Sequence, residues 1–414
     1  MTIELQNDRV INGLLKADIG LSTPDQIKAR LARDMLLVVD PRRSGVTDLW
    51  PAIWFLASII EREFTGTVFI KAGLDRELPS PIPLGPRCVF VPEEFSFDGD
   101  SIGIGVSMVG DNTIWGDVRG SAISYKDSLA GASVAHPVSA AALAGYLGFA
   151  ALARAASIPP FHEHWKHSSL SLPFDKHRES IPESIAVLGV GQIGQAFLAL
   201  NYFLAGSRLP IVHIVDKDIF ENENYRTQIL LSDTPRTWVG QRKVNYLASI
   251  CRSWGWRVTN EHAEINWGWK SPLGPEAVAF LGFDNMTARR VGVEGGFKWL
   301  VECGVGTDFC KPRVSWHSLP PDRELAKRLF IEKATDNHTV DSEFIRTLDA
   351  TPGGCGKVIF DNVQASAPCL GAIGAAFAAM ELLNSRDGNG ISGSAFAWSP
   401  LLPLQREKLF ANHQ

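Results

Sequence analysis

Residues 184–216 read SIAVLGVGQIGQAFLALNYFLAGSRLPIVHIVD, and this stretch decides the fold class. The apolar run SIAVLGV predicts a buried strand, GQIGQAFLALNYFLAG (191–206) predicts a helix ended by glycine, and PIVHIVD (210–216) predicts a second strand. A strand, a helix and a strand in this order form the repeating unit of a parallel sheet covered by helices. The second half of the chain is therefore predicted to be a doubly wound α/β unit.

A similar order of elements lies upstream. MLLVV (35–39) predicts a buried strand, LWPAIWFLASIIERE (49–63) an amphipathic helix, and GTVFIKA (66–72) and RCVFVPEEF (87–95) further strands. Each half closes with a helix rich in small residues, AAALAGYLGFAALARAAS (140–157) in the first and CLGAIGAAFAAMELLN (369–384) in the second. Two units of the same outline in tandem suggest an internal duplication.

The two units are separated by the polar, proline-containing segment PFDKHRESIPES (173–184). The predicted domains are therefore residues 1–172 and 173–414. The first unit has PRRSGV (41–46) where the second has the glycine-rich GVGQIG. We therefore expect two tandem Rossmann-like doubly wound units, of which the N-terminal one is degenerate and has lost its nucleotide site.

Composition excludes several classes of protein. The chain has 414 residues, 45% of them apolar and 21% charged, which is typical of a globular protein with a sizeable core. Its net charge of −5 gives no electrostatic footprint for nucleic acid. We see no signal peptide at the N-terminus and no apolar, charge-free stretch of about 18 residues, so we expect a cytoplasmic location and no membrane contact. The six cysteines include no CxxC pair, which disfavours a four-cysteine zinc site.

A glycine motif follows the first strand of the second unit. Gly189, Gly191 and Gly194 form G-x-G-x-x-G, in which the first glycine permits the turn, the second lets a phosphate approach and the third allows close packing. The following helix N-terminus attracts an anion. Asp216 ends the next strand, where an acid accepts hydrogen bonds from ribose hydroxyls. The motif alone leaves open a dinucleotide site, or a tight turn without any ligand.

More polar residues follow than a dinucleotide site needs. Asp218, Asn224, Arg226 and Gln228 lie in VDKDIFENENYRTQIL (215–230), and Lys243 lies in VGQRKV (239–244), which starts a helix. A cation and several amides that face a glycine loop suit β- and γ-phosphates. Taken singly, Arg226 or Lys243 would more often be a solvated surface charge.

Asp284 is the candidate metal ligand. In FLGFDNMTARR (280–290) it ends an apolar strand, at the edge of the sheet where such folds bind ligands, and a carboxylate there can hold Mg²⁺. The alternative is that Asp284 caps the helix that follows it.

The order and spacing of five features resemble the ThiF/MoeB-type adenylyltransferases, relatives of the ubiquitin-activating enzymes. The features are GVGQIG, D-x-D, N-x-x-x-Q, VGxxK and a strand ending in DN with an arginine soon after. The resemblance covers residues 184–384. It implies ATP and Mg²⁺ as cofactors and a role for each candidate residue. Glycines 189, 191 and 194 would border the nucleotide, Asp216 would hold the ribose, Asn224, Arg226, Gln228 and Lys243 would contact phosphates, and Asp284 would ligate Mg²⁺. One departure is that Thr227 stands directly before the glutamine, where the family has arginine. Either the loop is shifted by one residue and Arg226 takes that role, or another arginine does.

The resemblance also implies a reaction and partners. The C-terminal carboxylate of a ubiquitin-like protein would attack the α-phosphate of ATP, giving an acyl adenylate and pyrophosphate. A cysteine would then take the protein as a thioester and pass it to a conjugating enzyme. Cys355, in DATPGGCGKVIF (349–360), stands where the family places its crossover-loop cysteine. Cys369 at a helix start is the alternative, because such a position lowers a thiol pKa, and Cys310 is a weaker one.

An inactive unit fused to an active ThiF-type adenylation domain resembles the ubiquitin-activating enzymes in a shorter chain. Relatives of this family borrow an arginine from the opposite unit to reach the γ-phosphate, and Arg9 is the candidate here. ThiF/MoeB-type enzymes are typically homodimers, so a homodimer of this chain stays open as an alternative. The compactness resembles the activating enzymes of bacterial ubiquitin-like conjugation operons, such as the BilD-type component of an antiviral system.

Three other functions stay open. One is a ThiF-like enzyme that adenylates a sulfur carrier or a peptide without a thioester step. Another is an NAD-dependent oxidoreductase, which has no use for Lys243 and Asp284 together. The last is a nucleotide-binding scaffold without catalysis.

Overall fold

The computed structural model describes most of the two predicted units. The described residues are 8–17, 23–40, 46–74, 77–105, 113–119, 122–124, 129, 134–156, 169–172, 181–233, 235–305, 314–319, 366–385, 394–399 and 402–408.

The first half forms a sheet with strand order β3-β2-β1-β4-β5-β6-β7. Its strands are β1 Met35–Val39, β2 Val68–Lys71, β3 Cys88–Phe90, β4 Ser101–Ile104, β5 Thr113–Arg119, β6 Ala122–Ser124 and β7 Ser169–Ser171. Strands β1 to β5 pair in parallel, and β6 and β7 are added antiparallel. Strand β3 is shorter than the predicted 87–95 because the chain reaches Pro92, whose nitrogen has no hydrogen to donate to a ladder.

The second half forms a sheet with strand order β10-β9-β8-β11-β12-β13-β14-β15. Its strands are β8 Ser184–Leu188, β9 Ile211–Val215, β10 Arg257–Glu261, β11 Val278–Leu281, β12 Trp299–Val305, β13 Val314–Leu319, β14 Ser394–Ser399 and β15 Leu402–Lys408. Strands β8 to β12 pair in parallel, and β13 to β15 are antiparallel. In both sheets, five parallel strands follow one order and antiparallel strands extend one edge. This shared order supports an internal duplication, which stays a prediction.

Helices cover the sheets and fill the space between them. They are α1 Arg9–Ala17, α2 Pro24–Leu31, α3 Trp50–Glu63, α4 Pro137–Ala155, α5 Gln192–Ala205, α6 Lys243–Ser253, α7 Met286–Val293 and α8 Pro368–Ser385. A short 3-10 helix, Asn222–Arg226, follows β9. Helices α4 and α8, which close the two halves, pack directly against each other, and α8 also packs on α5.

Helix α3 is not amphipathic, contrary to the expectation from sequence. Every one of its residues except Pro51 is buried. The reason is that α4, α8 and the 3-10 helix of the second half cover the side that a lone unit would turn to water. Its charged residues Glu61, Arg62 and Glu63 are therefore buried, and Arg62 and Glu63 contact the second half.

Two glycines set the spacing of the helices at this junction. A Cβ on Gly145 of α4 would lie 2.6 Å from Cγ1 of Ile373 and 2.7 Å from the carbonyl oxygen of Cys369, both in α8. A Cβ on Gly148 would lie 2.5 Å from Cγ2 of Ile59 in α3. The three helices thus meet at a distance that only glycine permits.

Helix α4 is long and apolar enough to cross a membrane by length and composition, the one such helix in the part of the chain that the structure describes. The most apolar 18 residues of this helix are 94% buried inside the protein. Such burial is typical of a core helix.

One continuous apolar core runs through both halves, from Val10 in α1 to Leu383 in α8. The predicted boundary at 173–184 lies between β7 and β8, so each sheet takes its strands from one side of it. The domain limits themselves stay a prediction, because the core beneath them is shared.

Candidate functional site

A cavity of about 350 Å³ lies at the carboxyl ends of β8, β9 and β11. Its polar lining has four acids, Asp216, Asp218, Glu264 and Asp284, and four cations, Arg9, Lys217, Lys243 and Arg289. Gly189, Gly191 and Gly282 bring backbone to the cavity wall, and Gln192 and Gln228 supply amides. The structure therefore brings most of the predicted residues to one place.

The glycine loop is built so that backbone can face a ligand. Gly189 has φ = 86°, and a Cβ there would lie 2.8 Å from the backbone of Gly282 and Phe283. A Cβ on Gly194 would overlap the carbonyl oxygen of Gly189. Gly191 caps α5 without any side-chain hydrogen bond, and a Cβ there would meet nothing within 4 Å. The N-terminus of α5 is thus open to the cavity, which suits an anion.

Asp216 holds the glycine loop in place through hydrogen bonds to backbone N–H groups. One carboxylate oxygen accepts the N–H of Val190 and the other accepts the N–H of Asp218, both at 2.8 Å. Burial raises the pKa of Asp216, and the nearby ammonium of Lys243 and these two N–H groups oppose that shift. Each oxygen keeps a lone pair for another donor, so the predicted ribose contact fits this carboxylate.

Lys243 and Asp218 form an ion pair at the cavity wall. The ammonium lies 2.8 Å from Oδ2 of Asp218, and the backbone N–H of Lys243 donates to the Asp218 carbonyl at 3.0 Å. The Lys243 side chain is 8% exposed whereas that of Asp218 is 52% exposed. The ammonium has three N–H donors, so it can hold an anion beside Asp218.

Gln228 is linked to the glycine loop through a second glutamine. Its Oε1 accepts from Nε2 of Gln195 at 2.5 Å, and the same Nε2 donates to the Val190 carbonyl at 3.3 Å. Arg62, from helix α3 of the first half, holds the backbone of this segment. Its guanidinium donates to the carbonyls of Gln228, Ile229 and Leu231 at 3.2, 3.0 and 2.6 Å. A buried arginine of one half therefore supports the cavity wall of the other.

Asn224 and Arg226, both predicted to contact phosphates, do not line this cavity. Oδ1 of Asn224 accepts the N–H of Glu221 at 2.9 Å, which closes the first turn of the 3-10 helix. Arg226 points to the first half, where its Nε lies 3.4 Å from Oδ2 of Asp8 and its Nη2 donates to the Glu63 carbonyl at 3.3 Å. The direction of the 3-10 helix explains both placements, since it turns these side chains away from the glycine loop.

Asp284 lines the cavity and is exposed. Strand β11 ends at Leu281, so Asp284 lies in the loop after the strand and not at its end. The cap of α7 is Asn285, whose Oδ1 accepts the N–H of Ala288 at 3.0 Å, and this leaves the Asp284 carboxylate available. Among the described residues no group of three or more His, Cys, Asp or Glu could hold a metal ion alone. Mg²⁺ is often held by one or two carboxylates together with phosphates, so Asp284 fits such a partial site.

The pairing of Arg289 with Glu302 was missed by the sequence analysis. Nη1 of Arg289 lies 2.5 Å from Oε1 of Glu302, and its Nε donates to the Phe283 carbonyl at 2.6 Å, next to Asp284. Burial raises the pKa of Glu302 to about 7, and the Arg289 charge opposes the shift. The available signal was a glutamate within the apolar strand WLVECGV, because a buried acid needs a partner.

Arg9 comes from the first half and lines the same cavity. It is the first residue of α1, whose first turn is capped by Asp8 through the N–H groups of Val10 and Ile11, both at 3.1 Å. The carbonyl of Arg9 accepts the N–H of Ser366 at 3.2 Å, just before α8. The predicted arginine of the opposite unit is thus brought to the site within one chain.

The described cysteines lack the environment of a nucleophile. Burial raises the pKa of Cys369 well above its ordinary value, and the neighbouring carboxyl of Glu63 raises it further. The expectation that a helix start lowers the pKa of this thiol is therefore wrong. Cys303 lines the cavity, but burial raises its pKa strongly as well. Cys355 and Cys310 lie outside the described residues, so the role of Cys355 stays a prediction.

Comparison with known proteins gives a family and distant structural relatives. The family model described as the BilD C-terminal domain matches residues 181–389. The chain is 27% identical over 222 residues to the bacterial E1-like protein BilD of Collimonas sp. (strain OK412). That alignment covers 52% of this chain and 46% of the relative, so the match spans about half the length of the relative.

Solved structures resemble the chain only loosely. E. coli MccB with ATP shares 15% identity at a TM-score of 0.38, over 55% of this chain and 64% of that one. PaaA shares 16% identity at a TM-score of 0.35, over 69% of this chain and 77% of that one.

Proposed function

We propose, from the premise that this chain belongs to the BilD C-terminal domain family, that it activates the C-terminus of a ubiquitin-like protein by ATP-dependent adenylation. The observation that carries this proposal is the open N-terminus of α5, which faces a cavity that Arg9, Lys243 and Asp284 all line. Such a set of charges suits a polyphosphate with its metal ion, and it exceeds what a dinucleotide site requires.

The residues would act on the nucleotide as follows. Asp216 would accept hydrogen bonds from the ribose, and the glycine loop and the α5 N-terminus would bind phosphate oxygens. Arg9 and Lys243 would offset the negative charge of the phosphates. Asp284 would hold Mg²⁺ together with phosphate oxygens, and the ion would supply further charge neutralisation there.

The chemical step joins two anions. A carboxylate oxygen of the substrate forms a bond to the α-phosphorus, the bond from that phosphorus to the bridging oxygen breaks, and pyrophosphate leaves. Repulsion between the carboxylate and the phosphates opposes this approach, and positioned cations lower the barrier. No protein nucleophile takes part in this step.

The second step of the proposal uses Cys355. Its thiolate would attack the carbonyl carbon of the acyl adenylate, AMP would leave, and the resulting thioester would pass to a conjugating enzyme. Residues 1–172 would be an inactive adenylation-like unit and 173–414 the active one. The similarity to an E1-like protein supports a bacterial ubiquitin-like conjugation pathway, for which we propose an antiviral role.

ATP–pyrophosphate exchange tests the proposal. The full chain is mixed with candidate ubiquitin-like proteins encoded beside its gene, and wild type is compared with Asp284→Ala and Cys355→Ala. We expect Asp284→Ala to lower exchange about 100-fold, since one charge-stabilising group typically contributes about that factor, and Cys355→Ala to leave it intact. Glu276→Ala, which removes an exposed acid outside the cavity, is the matched control.

The outcomes separate the alternatives. Absence of exchange with every neighbouring protein would refute adenylation of such a substrate. Exchange in wild type together with full conjugation by Cys355→Ala would favour an enzyme that adenylates without a thioester on this cysteine. NAD retained by the purified protein, without ATP binding, would favour the oxidoreductase.

A further inference from the structure

Two guanidinium nitrogens of Arg226 contact the first half of the chain. Its Nε faces Oδ2 of Asp8 at 3.4 Å, and its Nη2 donates to the carbonyl of Glu63 at the end of α3. The side chains of Arg226 and Asp8 are only 16% and 24% exposed. With this ion pair and this hydrogen bond, Arg226 does not line the cavity, yet it links the segment after β9 to the start of α1.

The carboxylate of Asp8 has two functions at once. While Oδ2 faces Arg226, Oδ1 accepts the N–H groups of both Val10 and Ile11 and so caps α1. The position of the Arg226 guanidinium and the position of the first turn of α1 are therefore coupled through one rigid group.

Arg9 directly follows Asp8 and begins this first turn. The rest of α1 is anchored by Val10, Ile11, Leu14 and Leu15, which are all buried. The direction in which Arg9 leaves the helix thus depends on its first turn, which the Asp8 cap defines. We propose that Arg226 is a positioning residue that holds Arg9 at the cavity through Asp8, and that it is not itself a phosphate ligand. This inference rests on the proposed function.

A double-mutant cycle on ATP binding distinguishes the two roles of Arg226. The dissociation constant of ATP with Mg²⁺ is measured by calorimetry for the full chain and for Arg9→Gln, Arg226→Gln and the double variant. If Arg226 acts through Arg9, each single change weakens ATP on the order of tenfold and the double variant is no weaker than Arg9→Gln. A double variant weakened by the product of the two factors, on the order of 100-fold, would show independent ligands and overturn the inference.

Conservative variants separate positioning from general stability. Asp8→Asn keeps a good helix cap and removes the charge, so it should weaken ATP by the same factor as Arg226→Gln. Arg226→Lys keeps the charge and should recover part of the affinity. If Asp8→Asn or Arg226→Gln lowers the unfolding temperature and leaves ATP affinity unchanged, the contact is merely structural and the inference is wrong.

Hydrogen exchange without nucleotide tests the relay independently of ATP. The N–H groups of Val10 and Ile11 donate to the Asp8 carboxylate, and the N–H of Ser366 donates to the Arg9 carbonyl. These hydrogen bonds protect the three amides from exchange. We expect these amides to exchange at least severalfold faster in Arg226→Gln, while the amides of α6 are unchanged. Unchanged exchange at α1 would overturn the inference. A wild-type chain that binds no ATP would refute the proposed function, whereas faster exchange at α1 would still support the relay.

Discussion

The ammonium group of Lys243 is almost buried, while its carboxylate partner Asp218 is half exposed. The pair is therefore asymmetric: the cation belongs to the cavity wall and the acid lies at its rim. A phosphate that enters can bind the ammonium while Asp218 stays solvated.

This asymmetry predicts different costs for the two members of the pair. Lys243→Met keeps the length of the side chain and removes the charge, so we expect ATP–pyrophosphate exchange to fall about 100-fold. Asp218→Asn still accepts a hydrogen bond from Lys243, and we expect a loss of less than about tenfold. Equal losses in the two variants, measured at saturating substrate, would show that Lys243 matters only through its pairing with Asp218.

The charges of the site show what sequence reasoning can reach at the residue scale. Gly189, Gly191, Asp216, Lys243 and Asp284 were placed by motif order, and the structure brings them to one cavity. Asn224 and Arg226 carry the same motif order, but the direction of a 3-10 helix is not visible in a residue pattern. The motif order included an arginine soon after DN, but the pairing of Arg289 with Glu302 was missed because it joins a helix to the following strand and no residue pattern links the two.

At the scale of elements, the C-terminal end of helix α3 carries a buried acid. Glu63 lies between α4 and α8, and its Oε1 accepts the N–H of Cys369 at 3.3 Å. Burial raises the pKa of Glu63 from an ordinary 4.5 to about 7, against the lowering effects of Cys369 and Arg226. Between these two pH values the native protein holds a proton that the unfolded chain releases.

Folding stability should therefore fall as the pH rises from about 4.5 to 7. At pH 8 the buried charge costs as much as about 3 kcal/mol, from the pKa difference and 1.36 kcal/mol for each factor of ten. Glu63→Gln removes this cost and keeps an acceptor for Cys369. We expect urea unfolding to show the variant more stable than wild type at pH 8 and equal to it at pH 4.

The exposed acid Glu94 provides the control for this experiment. Glu94→Gln makes the same substitution at an exposed position, and the fall in stability between pH 4.5 and 7 should remain in this variant. A Glu63→Gln variant with the wild-type pH dependence would contradict the burial of the charge at this junction.

The contact between α4 and α8 gives a second prediction at this scale. Gly145→Ala places a Cβ against Ile373 and the Cys369 carbonyl, so we expect unfolding free energy to fall by about 1–3 kcal/mol. Alanine favours a helix over glycine by about 1 kcal/mol, so a more stable variant would contradict the close approach. In the Gly145→Ala background, Ile373→Ala should cost less than in wild type, because it relieves the clash.

Helix α3 illustrates why such junctions escape sequence analysis. Its bounds, like those of β8, α5 and β9, were predicted within two residues from apolar runs and glycine. Its amphipathic character was predicted wrongly, because a periodic pattern shows which residues are polar and not what covers them. Part of the covering surface comes from residues more than 150 positions later, such as the 228–231 backbone held by Arg62.

In the described part of the molecule the two sheets share one large apolar core, so we expect the two halves to unfold together. Helix α8 belongs to the second half in sequence but packs on α4 of the first, and Trp254 donates its indole N–H to the Pro81 carbonyl at 2.7 Å. Thermal unfolding of the full chain should give one transition, with tryptophan fluorescence and far-ultraviolet circular dichroism coinciding.

A fragment of residues 173–414 provides the complementary measurement. Without the first half it would expose the apolar faces of α5 and α8, so we expect no cooperative unfolding transition from it. A folded fragment, or two separate transitions in the full chain, would show that the halves are independent domains. The Gly145→Ala change should shift the single transition of the full chain as a whole.

The entry of Arg9 into the cavity from the same polypeptide has a consequence for how the protein responds to dilution. A wall residue supplied by a second molecule is lost as the concentration drops below the dissociation constant of the pair, whereas a covalently attached one stays at a fixed effective concentration. The part of the wall that Arg9 forms is therefore retained at any protein concentration. Scarcity of the protein in a cell leaves this contact in place in every folded copy.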